Sequence, residues 1–185
     1  MTCKKTIIIL SLSLFSCASR AEISENRLFS GLTDSAKYFL LPPSGIENSM
    51  DMFQRISAFY GGRDYILNAW VKADETGLDM TLLNEMGTNM GNLSYRNGAV
   101  TFSSAVFPQS IKPEYIVADF QLCFYNALLL RPALEDCGLT LETTGNGRRI
   151  LSGEKVIIEI EKNSKSVRFV NNLRGYSYIL EGEFH

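Results

Sequence analysis

Histidine is what this chain has least of, and its absence removes whole classes of chemistry. The one histidine among 185 residues is the last, His185, so Ser–His–Asp and Cys–His schemes have no internal base. No glycine-rich loop carries a lysine, which excludes the phosphate cradle of a P-loop. No apolar stretch is long enough to span a bilayer as a helix. A basic excess is missing too. Lys plus Arg number 18 against 20 Asp plus Glu, for a formal net charge of −2. That balance cannot hold the phosphates of nucleic acid, nor bind anionic lipid by charge alone. Repeats and low-complexity tracts are absent. The residues imply no cofactor.

What is present is enough for a core. Hydrophobic residues make up 45% of the chain, which suits a single domain. The start reads differently. Lys4 and Lys5 precede an apolar run over residues 6–15, closing on Leu14-Phe15-Ser16-Cys17. A charged region, a short apolar region and a small residue before the break describe an export signal. Its last four residues resemble the bacterial lipobox, whose cysteine is acylated and becomes the new first residue. Ala18 follows it rather than aspartate, which by the same resemblance directs the protein to the outer membrane, lipid-anchored at Cys17 and facing the periplasm. Cleavage after Ala21 is the alternative and would leave a soluble periplasmic form. The expected organisation is a signal peptide over residues 1–16, a lipidated N-terminus and tether over 17–37, and a folded domain over 38–185. Leu28, Phe29 and Leu32 are the tether's candidates for a short docking turn. Loss of Lys4 and Lys5 takes the charge from −2 to about −4.

Four cysteines reduce to two once Cys3 leaves with the signal and Cys17 carries lipid. Cys123 and Cys137 form either a disulfide, which an oxidising compartment permits, or two buried thiols acting as small hydrophobes. Two cysteines and a terminal histidine make no zinc site, and no metal is expected.

Residues 111–134 (IKPEYIVADFQLCFYNALLLRPAL) carry the only long helical pattern. Pro113 suits the first helical position and Pro132 marks the expected end. Ile116, Val117, Phe120, Cys123, Phe124, Ala127 and Leu128 recur at helical spacing, while Leu122, Leu129 and Leu130 widen the apolar surface. A helix this apolar must be covered on most sides.

The remainder alternates with period two. Residues 52–60 place Met52, Gln54, Ile56, Ala58 and Tyr60 on one side. After Gly61-Gly62, Tyr65, Leu67, Ala69 and Val71 share a side, and Leu78, Met80 and Leu82 line the next strand. Residues 90–96 run into Asn97-Gly98, the strongest hairpin signal in the chain. Strands over 139–143, 149–152, 156–161 and 167–170, with a last one through Tyr176, Tyr178 and Leu180, follow the helix. Turns about ten residues apart describe an antiparallel meander. The expected class is α+β, a curved antiparallel sheet wrapped around a central apolar helix.

Several motifs together carry a family resemblance: Leu40-Leu41-Pro42-Pro43, Phe59-Tyr60-Gly61-Gly62, Tyr95-Arg96-Asn97-Gly98, Val117-Ala118-Asp119-Phe120-Gln121-Leu122, Arg148-Arg149 and Gly175-Tyr176. Over residues 38–183 the chain resembles predicted lipoproteins grouped as a domain of unknown function, number 3261, often associated with aryl-polyene pigment gene clusters. That family in turn looks like LolB, the outer-membrane lipoprotein that receives other lipoproteins from LolA. The resemblance implies an incomplete LolA/LolB-like β-barrel plugged by helix. It also implies binding or transfer of an acyl chain, lipid or lipoprotein anchor in envelope biogenesis, aryl-polyene lipid included, and a LolA-like carrier as partner. LolB bears a protruding loop whose exposed leucine serves delivery. The run LLNEMGT over 82–88 is similar, and Met86 falls at the leucine's place.

The candidate residues follow. Met86 either meets a membrane from an exposed tip or caps a hairpin and packs inward. Trp70, Phe120 and Phe124 line either the core or a cavity for cargo. Asp119 and Gln121, on the least apolar side of the helix, are expected to pair with backbone or with Arg148 or Arg149, because buried carboxylates are seldom unpaired. Those arginines otherwise receive an anionic head group or form one salt bridge and one solvated side chain. An acid–base pair of Asp119 with Glu114 or Glu135 is the weak catalytic option, and no catalytic residue is expected. Two function classes stand: a membrane-tethered carrier of a hydrophobic ligand, and a non-catalytic envelope adaptor with a filled core.

Overall fold

The computed structural model of the chain describes residues 27–107 and 111–184. Cys17, the signal peptide, the Ala21 cleavage site and His185 lie outside the described residues. Two short strands, β1 (Phe29–Gly31) and β2 (Lys37–Phe39), pair with each other. A single 3-10 turn, Pro43–Gly45, follows. Five strands then run as a meander: β3 (Met50–Tyr60), β4 (Arg63–Asp74), β5 (Gly77–Leu83), β6 (Asn89–Arg96) and β7 (Ala99–Ser103). Two helices, α1 (Pro113–Phe124) and α2 (Ala127–Glu135), interrupt. A second meander closes the chain: β8 (Thr140–Thr144), β9 (Gly147–Ser152), β10 (Lys155–Lys162), β11 (Ser166–Asn171) and β12 (Tyr176–Glu181).

The two meanders join along β3 and β12 into one ten-stranded antiparallel sheet, ordered β7-β6-β5-β4-β3-β12-β11-β10-β9-β8. Its edges, β7 and β8, do not pair with each other, so the sheet stays open. Strand positions follow the alternation expected from the sequence. At the β6–β7 turn, Asn97 (φ 52°) and Gly98 (φ 74°) both take the left-handed conformation that a two-residue hairpin turn requires.

Register aligns the apolar side chains on one face, since directly paired residues point the same way. Met52, Val71, Met80, Leu93 and Phe102 are successive partners across the first meander. Tyr178, Phe169, Ile160 and Arg148 are successive partners across the second. Helix α1 lies against this face, reaching Tyr176, Tyr178 and Arg148 through the contacts described below. Eight consecutive residues, Val117 through Phe124, are buried in it. The opposite face carries Arg55, Trp70, Asp79, Glu159 and Arg168.

Two expectations need correction. The helical pattern over 111–134 is two helices, not one, and Pro132 lies inside the second rather than ending it. Tyr125 takes an extended conformation (ψ 155°) because a distant segment claims the backbone there. Ile46 bridges Tyr125, Asn126 N–H donates to the Gly45 carbonyl at 2.9 Å, and Glu47 N–H donates to the Phe124 carbonyl at 3.0 Å. Asn126 then caps α2, its side chain accepting from Leu128 N–H. Pro132 falls in the second turn of this fresh, short helix, where its missing N–H forfeits one bond. The tether is also shorter than drawn. Within residues 17–37, β1 is ordered and Leu32 and Ala36 are buried, so the docking turn extends into a small two-stranded sheet.

Candidate functional site

Asp119 sits in the middle of α1 and is buried. Tyr176 donates its hydroxyl to Asp119 Oδ2 at 2.7 Å. Burial pushes the carboxyl up to about 7, while the Tyr176 hydrogen bond and nearby Arg174 pull it down. Above it the rings of Tyr176, Phe169 and Tyr178 stack in a row, with centroids 5.9 Å and 4.7 Å apart. One turn along, Cys123 Sγ lies 4.0 Å from the Tyr178 hydroxyl. Burial pushes this thiol up to about 12, so at neutral pH it is a thiol and not a nucleophilic thiolate. Cys137 is a separate free thiol whose Sγ donates to the Leu134 carbonyl at 3.2 Å.

Neither arginine of the expected ion pair reaches Asp119. Arg148 instead donates from Nη1 to the carbonyls of Leu122 (3.0 Å) and Tyr125 (2.7 Å), with Glu47 3.4 Å from Nη2. The guanidinium thereby satisfies carbonyls that the end of α1 leaves without an N–H. Arg149, its neighbour, points to the other face and pairs with Glu159 at 3.6 Å. Adjacent strand residues face opposite ways, so Arg148 and Arg149 cannot converge on one anion.

Sequence reasoning missed how α1 is fastened at its front. The Gln121 side chain accepts from Tyr38 Oη (2.9 Å) and Leu41 N–H (3.0 Å) and donates to the Leu41 carbonyl (2.7 Å). Tyr95 donates to that same carbonyl at 2.7 Å. That Gln121 pairs with backbone was expected; that the backbone is Leu41, some eighty residues upstream, was not.

The aromatic candidates separate. Phe120 and Phe124 are buried with centroids 4.9 Å apart, and Phe124 stacks on Phe184 at 5.8 Å. Trp70 is not interior. It is 51% exposed on the outer face, beside Phe53, and donates to Asp51 Oδ1 at 2.8 Å. Where α1 ends, a cleft of about 430 Å³ opens, with Met50, Met52, Phe124 and Phe184 among its walls and Lys162 beside three carboxylates, Glu47, Asp51 and Glu183. Gln54, the next residue after Met52 on that face of β3, is buried, and its Nε2 has no hydrogen-bond partner among the described residues. Met86 lies at the far end of the sheet, 88% exposed on the β5–β6 turn. Asn84 Oδ1 holds that turn by accepting from Met86 N–H (3.0 Å) and Thr88 N–H (2.8 Å).

The family model described as "Protein of unknown function (DUF3261)" matches residues 51–181. The chain belongs to this family. No curated protein matches it. The DUF3261 match takes in Met86, Asp119, Arg148 and Tyr176, while Tyr38, the Gly45–Glu47 clasp and Phe184 fall outside it. Among the described residues of this DUF3261 member, no group of three or more His, Cys, Asp or Glu side chains is placed to hold a metal ion. Among the described residues no helix is long and apolar enough to cross a membrane.

Proposed function

We propose that this protein is an envelope lipoprotein, anchored through Cys17 at the outer membrane. In this reading its LolB-like half-barrel binds or transfers an acyl chain, a lipid such as an aryl-polyene lipid, or a lipoprotein anchor. The observation that carries this reading is the cleft where α1 ends. Its volume of about 430 Å³ falls within the roughly 300–1,000 Å³ of small-molecule sites, which combine apolar walls with a few polar groups. Met50, Met52, Phe124 and Phe184 supply the walls. Methionine thioethers adapt to irregular chains, and each acyl methylene taken from water contributes about 0.8 kcal/mol. Lys162, its ammonium 5.4 Å from the centre of the Phe124 ring, shares the lining with the carboxylates of Glu47, Asp51 and Glu183.

A second reading, the filled-core adaptor, draws on the packing beside α1. Val71, Leu93, Val117, Leu122, Val167 and Phe169 have almost no exposure, so the sheet's covered face is occupied by the protein's own side chains. Mass spectrometry of organic extracts from native protein distinguishes the two. The carrier yields a lipid at near-stoichiometric amount, and Phe124→Glu abolishes both that yield and uptake of a fluorescent fatty acid. Repeated absence of lipid together with no uptake by the native protein leaves the adaptor.

A further inference from the structure

The two ends of the sheet are built differently. Where α1 ends, the strand connections are Glu75-Thr76, Asn97-Gly98, Gly145-Asn146 and Asn163-Ser164-Lys165, without one large apolar side chain. At the other end, three connections that follow one another across the sheet each present one. Met86 (88% exposed) lies between β5 and β6, Tyr60 (63%) leads into the β3–β4 turn, and Leu173 (42%) lies between β11 and β12. Chance exposure of single apolar residues is ordinary. At the end where α1 stops, the exposed Leu128 (79%) and Leu129 (47%) belong to the first turn of α2, so the row of apolar strand turns is confined to the opposite end.

The β3–β4 hairpin stands clear of β5 on one side, while on the other β12 backs it as far as Phe59. Its strands stay paired as far as Tyr60↔Arg63, whereas β5 pairs with β4 only as far as Asn68. Residues 63–67 therefore stand about 17 Å past the end of β5, at about 3.4 Å per residue. Both faces of this projection are apolar and exposed: Phe59 and Ile66 on the outer side, Tyr60 and Tyr65 on the inner. A protein laid against a sheet covers one face. Large apolar side chains on both faces of one hairpin suit a medium that surrounds it. Tyrosine favours the boundary between head groups and acyl chains, where its ring is apolar and its hydroxyl wet. The side chain of Arg63, opposite Tyr60, makes no ion pair or hydrogen bond among the described residues. Its guanidinium complements a lipid phosphate, and its aliphatic stem can lie along the apolar layer.

We propose that the β3–β4 hairpin, flanked by the Met86 turn, is the element that enters the head-group layer of a phospholipid bilayer. Phe59, Tyr60, Tyr65 and Ile66 sit at the acyl boundary and Arg63 binds phosphate. The proposal leans on the lipid-handling reading only for the kind of surface met. The cleft at the opposite end plays no part, so lipid recovery and hairpin insertion fail independently.

Trp70 is the chain's single tryptophan and lies away from this end, which gives a clean reporter. The full chain carrying Trp70→Phe and Tyr60→Trp is reconstituted with phosphatidylethanolamine/phosphatidylglycerol vesicles, with and without brominated acyl chains. Insertion predicts a blue-shifted emission and roughly twofold quenching by the brominated lipid. The unaltered chain, reporting from Trp70, and Trp70→Phe with Glu75→Trp at the other end stay unquenched. Circular dichroism checks folding, and Ile66→Trp replaces Tyr60→Trp if the latter does not fold. No quenching at the hairpin, or equal quenching at both ends, overturns the proposal. Quenching that persists undiminished in a Phe59→Ser, Ile66→Ser chain reporting from position 60 overturns it as well.

Discussion

Replacing Asp119 by asparagine tests the account of the helix core most sharply. In the folded protein burial pushes the Asp119 carboxyl up to about 7, whereas an exposed aspartate titrates near about 3.9. A native state that holds its proton more tightly than the unfolded chain loses stability as pH rises between those two values. The contribution is fully present below about pH 4, where both states are protonated, and is gone above about pH 7. A gap of about three pH units corresponds to about 4 kcal/mol. Asparagine keeps an oxygen where Tyr176 donates at 2.7 Å but cannot ionise. Urea unfolding from about pH 4 to about pH 8 should therefore find Asp119→Asn equal to the parent at the acid end and up to about 4 kcal/mol more stable at the alkaline end. For a chain of this size that is a rise of about 10 °C in Tm. The hydrogen bonds from Arg96 and Ser94 hold the Asp79 carboxyl below its ordinary value, outside this window, and any contribution common to both proteins cancels in their difference. A difference that stays constant with pH would refute the reasoning. So would an asparagine variant that is less stable at alkaline pH.

Arg148→Ala strips the donors from the Leu122 and Tyr125 carbonyls and should cost about 2–4 kcal/mol in urea unfolding, since buried carbonyls are left unmet. Arg148→Lys should recover only part of that, because an ammonium cannot fork between two carbonyls as a guanidinium does. Gly147→Ala would put a methyl carbon 1.9 Å from the Ile160 carbonyl oxygen. Backbone cannot yield there as a side chain can, so a loss of more than about 3 kcal/mol is expected, read as a fall in Tm or in soluble yield.

The strands were legible because alternation is local. Each of β3 to β12 falls within a few residues of its period-two signal, and Asn97-Gly98 turned where its chemistry demanded. Trp70 was misread as core or cavity lining although the alternation that grouped Ala69 with Val71 put their neighbour on the other side, where it is 51% exposed. What could not be read was anything decided at long range. The break at Tyr125 is imposed by Gly45, Ile46 and Glu47, some eighty residues upstream. The partner of Asp119 depends on the rotation of α1 against β12, which periodicity leaves open. Arg148 looked like a partner for a carboxylate, yet the nearer need was two carbonyls at the foot of the helix. Cys123 and Cys137 had no geometry until the chain was folded, and they remain apart as thiols.

The seam between β3 and β12 sets an order of events. Phe59 pairs with Ser177, so the strand laid down first in the large sheet waits for the one made last. Until then the chain holds a five-stranded ribbon, β3–β7, and a separate four-stranded one, β8–β11, each with an unmatched border, and α1 has only part of its bed. Contacts so distant in the chain form slowly. Ribosomes must therefore finish nearly the whole chain before the sheet is continuous, and a protein cut short before Tyr176 would be left as two unjoined leaves.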